Sequence, residues 1–189
     1  MTNAPNAYVF DADTLTGDLR PLRRAAFALG SNLGTRRDNL QGAVDALTEA
    51  PEVFPVAVSP VYETDPVGGP EEQPQVLNAV LIVDTTLSVH TLLDRALATE
   101  DAFGREREVR WGPRSLDVDL LAVGDRVVDE PACTIPHPRI AERAFVLVPW
   151  ADVDPEFTVP GLGRVADLRD KVGSTGVTRV ADLSLHLSG

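Results

Sequence analysis

The sequence holds one cysteine, Cys133, and one lysine, Lys171, in 189 residues. A single cysteine excludes an internal disulfide, and nothing in the thiol count asks for an oxidising compartment. No long apolar run is present. The longest, Ala144–Ala151, is interrupted by Pro149, whereas a membrane-spanning helix needs about 20 apolar residues. There is no basic excess either. Lys and Arg total 17 against 29 Asp and Glu, a net charge of −12, the opposite of the basic face that a nucleic-acid binder presents. The first residues carry Asp11, Asp13 and Asp18 rather than a basic leader, so no secretory signal is read there. These absences predict a cytoplasmic protein with neither nucleic acid nor membrane as partner. With no long exposed apolar stripe, a monomer is expected.

What is present is ordinary for a globular chain: 43% hydrophobic and 24% charged residues. The length suits one domain. Residues 1–22 keep no apolar period and are expected to be a disordered tail, leaving 23–189 as a single domain. Arg24–Leu29 reads as a first strand ending at Gly30, and the Gly- and Asn-rich stretch after it as a tight turn. Leu40, Ala43, Val44 and Leu47 lie at helical spacing within Asp38–Ala50, and Pro51 stops that helix. Val53–Glu63 reads as one strand, placed at an edge by Pro55 and Pro60. Val76–Asp84 is a third strand. Ser88 caps a second helix through Phe103, and Leu116–Val123 is a fourth strand. A short strand is expected near Val127–Val128, and a short helix or turn over Ile140–Val148 that Pro149 ends. The order β-α-β-β-α-β predicts an α+β, ferredoxin-like sandwich with a C-terminal appendage.

Three constellations carry chemistry. In Leu116-Asp-Val-Asp-Leu120 the two carboxylates alternate along a strand, so Asp117 and Asp119 share a face, roughly 6.5–7 Å apart at Cα. Such a pair can hold one hard cation or two, though strand alternation with a solvated polar face yields the same pattern. Before it, Gly104–Arg114 holds Arg105, Arg107, Arg110, Trp111 and Arg114. Guanidinium forks bind phosphate oxygens in pairs, while Arg105 and Arg107 equally match Glu106 and Glu108 as a self-neutralising loop. The third runs from Tyr62 to Asn78 and offers Thr64 and Asn78 as a hydroxyl and an amide for a planar heterocycle; the bland reading is that both cap their own backbone. Between prolines, His137 stands in a rigid loop with Arg143 and Phe145 behind it, and no zinc-like cluster surrounds it.

Taken together, ALGSNLG, SPVYETDPVGGPEEQPQVLNAV, GRERxxRWGPRSLDVDLL and IPHPRIAERAFVLVP resemble the 6-hydroxymethyl-7,8-dihydropterin pyrophosphokinase family of folate biosynthesis, in the right order from about Ala25 to Pro155. The resemblance implies a ferredoxin-like fold and transfer of pyrophosphate from ATP to the hydroxymethyl of the dihydropterin, releasing AMP. It implies that Asp117 and Asp119 hold two Mg²⁺ ions that bridge the ATP phosphates, so that the pterin oxygen attacks the β-phosphorus in line. Arg105 and Arg114 match the arginines that close on the polyphosphate, and the loop with Trp111 matches a closing lid. Glu100, Arg107, Trp111, Leu120, His137 and Arg143 fall at ATP-contacting positions. Thr64, Val67, Val76, Asn78 and Phe145 fall at pterin positions.

The sequence departs from the family at several points. Val76 stands where a second aromatic ring usually stacks, at a cost of about 0.5–1.5 kcal/mol of ring–ring preference. Leu97 replaces a residue that is often polar, Gly68-Gly69 adds a residue, and the tail 1–22 has no counterpart. Two other readings compete: a different Mg²⁺-dependent nucleotidyl or phosphoryl transferase, which Val76 favours, and a non-catalytic ferredoxin-like ligand-sensing module, which leaves Trp111 and Arg114 unexplained.

Overall fold

The computed structural model describes residues 20–66, 72–103 and 115–188. The chain begins with β1 (Arg23–Ser31) and α1 (Arg36–Thr48), then β2 (Val53–Val58), β3 (Tyr62–Thr64) and β4 (Val76–Thr85). It continues through α2 (Val89–Ala102) and β5 (Asp117–Val123). This is the expected β-α-β-β-α-β order, with the second strand in two pieces. The order across the main sheet is β10-β3-β4-β1-β5, where β10 is Val177–Arg179, and β2 joins the other end of β4. Its pairs are antiparallel.

The expected single strand Val53–Glu63 is corrected to two. Val58 pairs with Leu81 but Tyr62 with Asn78, so four steps on one chain oppose three on the other. The extra residue falls where Pro60 cannot donate to the ladder. Ser59 stitches the gap: its N–H donates to the Val80 carbonyl (2.9 Å) and its Oγ accepts from the Val80 N–H (2.8 Å).

Strand alternation sends Phe27, Leu29, Leu81, Val83 and Leu120 to one face, where they bury against Leu40, Val44 and Leu47 of α1 and Leu92 and Ala96 of α2. As expected, Ser88 caps α2, its Oγ accepting from the Thr91 N–H at 3.1 Å. The opposite face carries Ala26, Val80, Ile82, Leu121 and Ala122. What the sequence suggested as an appendage is the layer that covers this face. It contains a 3₁₀ turn (Ile140–Glu142), α3 (Ala144–Val153), the hairpin β8 (Thr158–Val159)–β9 (Gly163–Arg164) and α4 (Val165–Val172), whereas the preceding hairpin β6 (Val128–Glu130)–β7 (Cys133–Ile135) buries Val128, Cys133 and Ile135 in the first core. Val146, Leu147 and Trp150 of α3 and Val165 of α4 seal the second core.

Pro149 does not end α3; it lies inside the helix. Proline there forgoes one backbone bond, and burial of the residues around it, Trp150 at 0% exposure among them, outweighs that loss. The C-terminal segment returns across α1. Leu185 is buried in the first core, and Gln41 pairs with the His186 backbone in both directions (2.8 and 2.9 Å).

Candidate active site

The site grows from the strand register. Gly30 pairs with Asn78 on one side and Asp117 on the other; Ala28 pairs likewise with Val80 and Asp119; Thr64 pairs with Val76. Asp117 and Asp119 therefore project on the face that Leu121 shares with α3. Ala28 and Gly30 keep the floor of that face low. A Cβ built on Gly30 would stand 3.6 Å from Asn78 Oδ1 and 4.0 Å from Asp117 Cβ. Phe145, at the start of α3, closes one wall. The result is a cavity of about 400 Å³ lined by Ala28, Gly30, Thr64, Val76, Asn78, Asp117, Asp119, Arg143 and Phe145 among others. Asn78 is buried and donates from Nδ2 to Thr64 Oγ1 at 2.8 Å. That bond fixes the amide as a polar edge beside the apolar Ala28, Val76 and Phe145.

A second cavity, of about 390 Å³, lies along β5 between α2 and the chain from Cys133 to Pro138. Leu93, Leu97, Glu100, Leu120, Ile135 and His137 line it, and it shares Asp117, Asp119 and Arg143 with the first. The two carboxylates and one guanidinium thus stand where two small-molecule cavities meet.

The electrostatics are graded around that junction. Arg143 Nη1 lies 3.3 Å from Asp119 Oδ2, with its guanidinium 5.6 Å from the Phe145 ring centre, a cation over an aromatic face. His137 Nε2 lies 4.0 Å from the same carboxylate oxygen. Its Nδ1 accepts from the Arg139 N–H (3.2 Å), so a neutral ring carries its proton on Nε2. Burial first, and then the Arg143 charge, push the His137 pKa down to about 4. Glu100 is 2% exposed and accepts from the Val118 N–H at 2.9 Å, between the two aspartates. Burial, with Asp117 close by, pushes its pKa up to about 8.

The donor set at the junction suits a hard cation. Among the described residues no group of three or more His, Cys, Asp or Glu gathers to form a closed metal cage. Two half-buried carboxylates on one strand face fit Mg²⁺, which keeps waters and completes its shell with substrate phosphates.

The residues expected from the sequence divide between the cavities. Thr64, Val76, Asn78 and Phe145 line the first; Glu100, Leu120 and His137 line the second; Asp117, Asp119 and Arg143 line both. Val67, Arg105, Arg107, Trp111 and Arg114 lie outside the described residues. The sequence reading placed Ala28 and Gly30 in the ALGSNLG motif but gave neither a place in the site. It ended the strand at Gly30 and started a tight turn there, whereas Gly30 and Ser31 both belong to β1 and the chain turns near Gly34, at φ 68°. Their signal was the small residue at every second position of β1.

Comparison with known proteins agrees with this geometry. Residues 26–155 match the model of the 7,8-dihydro-6-hydroxymethylpterin-pyrophosphokinase family. The chain is 42% identical over 159 residues to a 2-amino-4-hydroxy-6-hydroxymethyldihydropteridine pyrophosphokinase of Pseudomonas aeruginosa, covering 84% of this chain and 98% of that one. It is 41% identical to the Methylorubrum extorquens protein of the same name (84% and 99%), and 45% identical over 155 residues to that of Mycobacterium tuberculosis (76% and 80%). Among solved structures, wild-type Plasmodium falciparum HPPK-DHPS with pteroate superposes with a TM-score of 0.62 at 14% identity. That match covers 82% of this chain but only 43% of the Plasmodium chain; at such identity it supports the ferredoxin-like fold alone. On the family match and these relatives, the chain belongs to the 7,8-dihydro-6-hydroxymethylpterin-pyrophosphokinase family and is an ATP-dependent pyrophosphokinase.

Proposed function

We propose that the enzyme transfers the β,γ-pyrophosphoryl group of ATP to the hydroxymethyl oxygen of 6-hydroxymethyl-7,8-dihydropterin and releases AMP. One observation carries the reading: two cavities of ligand size meet at Asp117, Asp119 and Arg143. A group-transfer site needs this layout, with donor and acceptor entering from different sides and phosphate-binding charge between them.

In this reading the dihydropterin lies over Gly30 and against Phe145, with its amide edge on Thr64 and Asn78. ATP occupies the cavity beside Leu97, Leu120 and His137, its phosphates turned to the junction. Asp117 and Asp119 would hold two Mg²⁺ ions. Those ions, when bound, neutralise the phosphate oxygens and make the β-phosphorus a better electrophile. Arg143 adds a fixed positive charge at the junction, and the neutral His137 offers its Nε2–H as a donor without adding charge. Arg105, Arg107 and Arg114 supply further cations to the polyphosphate, and Trp111 helps to exclude water. The bond formed joins the pterin oxygen to the β-phosphorus, and the bond broken joins that phosphorus to the α–β bridging oxygen, which leaves with its electron pair on AMP. The hydroxyl proton leaves to solvent. Catalysis then rests on positioning and electrostatics. A reaction that consumes ATP fits a cytoplasmic enzyme.

The test is a product assay with ATP, Mg²⁺ and the dihydropterin, separating AMP from ADP. AMP formed in step with consumed pterin supports the reading. ADP would move the transferred unit to a single phosphate, and no turnover with Mg²⁺-dependent ATP binding would move the acceptor to another alcohol.

A further inference from the structure

Two polar clamps run from the first turn of α1 to the chain neighbours of site residues. Arg36, the first residue of α1, donates from Nη1 to Glu63 Oε2 and to the Gln75 carbonyl, both at 2.8 Å. Glu63 precedes Thr64 and Gln75 precedes Val76, and Thr64–Val76 is the last registered pair of the β3–β4 ladder. A ladder frays at its end. Here one guanidinium ties both strands where pairing stops, through a charge-assisted bond and a carbonyl bond. Gln75 adds a second tie, from Nε2 to Asp65 Oδ1 at 3.0 Å.

Asn39 lies three residues on, on the same side of the helix. Its Nδ2 is 3.0 Å from the Ser115 carbonyl, 3.0 Å from that of Leu33 and 3.2 Å from Ser31 Oγ. Ser31, itself 1% exposed, donates from Oγ to the same Ser115 carbonyl. Ser115 lies two residues before Asp117, and Ser31 directly follows Gly30. Neither Arg36 nor Asn39 lines either cavity.

We infer that Arg36 and Asn39 are positioning residues that set the two sides of the site separately. Arg36 fixes the Thr64–Val76 lip of the first cavity. Asn39, with Ser31, fixes the start of β5 and so the place of Asp117. The assignment of a substrate to each side rests on the pyrophosphokinase reading above. A merely structural pair of surface polar residues would contribute little and would affect both substrates alike.

The variants are Arg36→Met, which keeps the aliphatic stem and loses both bonds, and Asn39→Asp, which keeps the size and loses the N–H donors. An acidic residue in the first turn also favours the helix. Two measurements are made on the full chain. Hydrogen exchange should quicken at Val76–Asn78 alone in Arg36→Met and at Leu116–Val118 alone in Asn39→Asp. Steady-state kinetics should show the dihydropterin KM raised about tenfold in Arg36→Met with ATP KM and kcat held. Asn39→Asp should show kcat lowered about tenfold, and a higher Mg²⁺ requirement, with pterin KM held. Asn39→Leu, which also keeps the size and loses the N–H donors on Ser115, should follow Asn39→Asp and replaces it if that variant does not fold. Exchange that rises everywhere, or nowhere, overturns the inference. So does a kinetic change shared equally by both variants. A wild-type enzyme inactive with ATP and the dihydropterin would instead sink the substrate reading, while the exchange pattern still decides the clamps.

Discussion

Gly30→Val separates what the first cavity needs from what the fold needs. Gly30 sits in β1 with pairs on both sides and no positive φ, so a β-branched residue suits its backbone. A Cβ there would meet Asn78 Oδ1 and Val76 Cγ1 at 3.6 Å and Asp117 Cβ at 4.0 Å, ordinary contacts that displace nothing. Replacing a strand glycine stabilises by about 0.5–1 kcal/mol, which raises Tm by about 1–4 °C for a chain of this size. The two γ-methyls, however, rise from the cavity floor into the space the dihydropterin ring is proposed to fill. Lifting the ring by about 1 Å moves its hydroxymethyl off the phosphorus and costs about 100-fold in kcat/KM for the pterin. ATP binding, on the far side of Asp117, should stay within about twofold of wild type. The assay pairs calorimetric Tm with steady-state kinetics in each substrate, and Gly30→Ala should fall between. A Gly30→Val enzyme with wild-type pterin kinetics would refute the placement of the ring over Gly30. A clear fall in Tm would refute the claim that the glycine is kept for the ligand rather than the backbone.

Further outcomes follow from the same geometry. Asp119→Asn should keep Tm near wild type and abolish Mg²⁺-dependent turnover; normal turnover would remove Asp119 from the cation site. Tyr62 donates its hydroxyl to Asp152 of α3, and burial with that bond pushes its pKa up to about 12. The unfolded chain therefore loses the Tyr62 proton first, so stability is full below pH 10 and falls as pH rises from 10 to 12. Tyr62→Phe should lower stability at pH 7 by about 1–3 kcal/mol and flatten the alkaline loss, as followed by urea unfolding; an unchanged alkaline slope would contradict the assignment. Deleting residues 1–22 should leave Tm and activity nearly unchanged, and a large drop in Tm would show that the tail packs.

The parts of the fold written in long periodic segments were legible in the sequence. Leu40, Ala43, Val44 and Leu47 are all buried at helical spacing, and Ser88 caps α2 as its position suggested. Asp117 and Asp119 were legible as a pair because strand alternation alone puts them on one face. Short elements were not. The strand break at Ser59–Pro60 depends on one extra residue opposite β4, a register property that no local pattern encodes. The strands β8, β9 and β10 have two or three residues each, too few to show a period. Pro149 signalled a stop because local propensity favours one, and the burial that overrides it comes from residues distant in sequence. At the site, Glu100, Leu120 and His137 came from the family resemblance rather than from spacing. A lone acid on the apolar side of a helix does not announce that it will bond to the Val118 N–H. Gly30 was missed for a related reason: a glycine at a strand end signals a turn as readily as a cavity floor.

In the proposed reaction ATP and the dihydropterin meet at Asp117 and Asp119, and attack falls on the β-phosphorus. ATP labelled at the β-phosphate tests it most directly, with the label followed into AMP, ADP and the pterin product. All transferred label should enter the pterin diphosphate while AMP stays unlabelled. Label retained on ADP, with the pterin unlabelled, would contradict it.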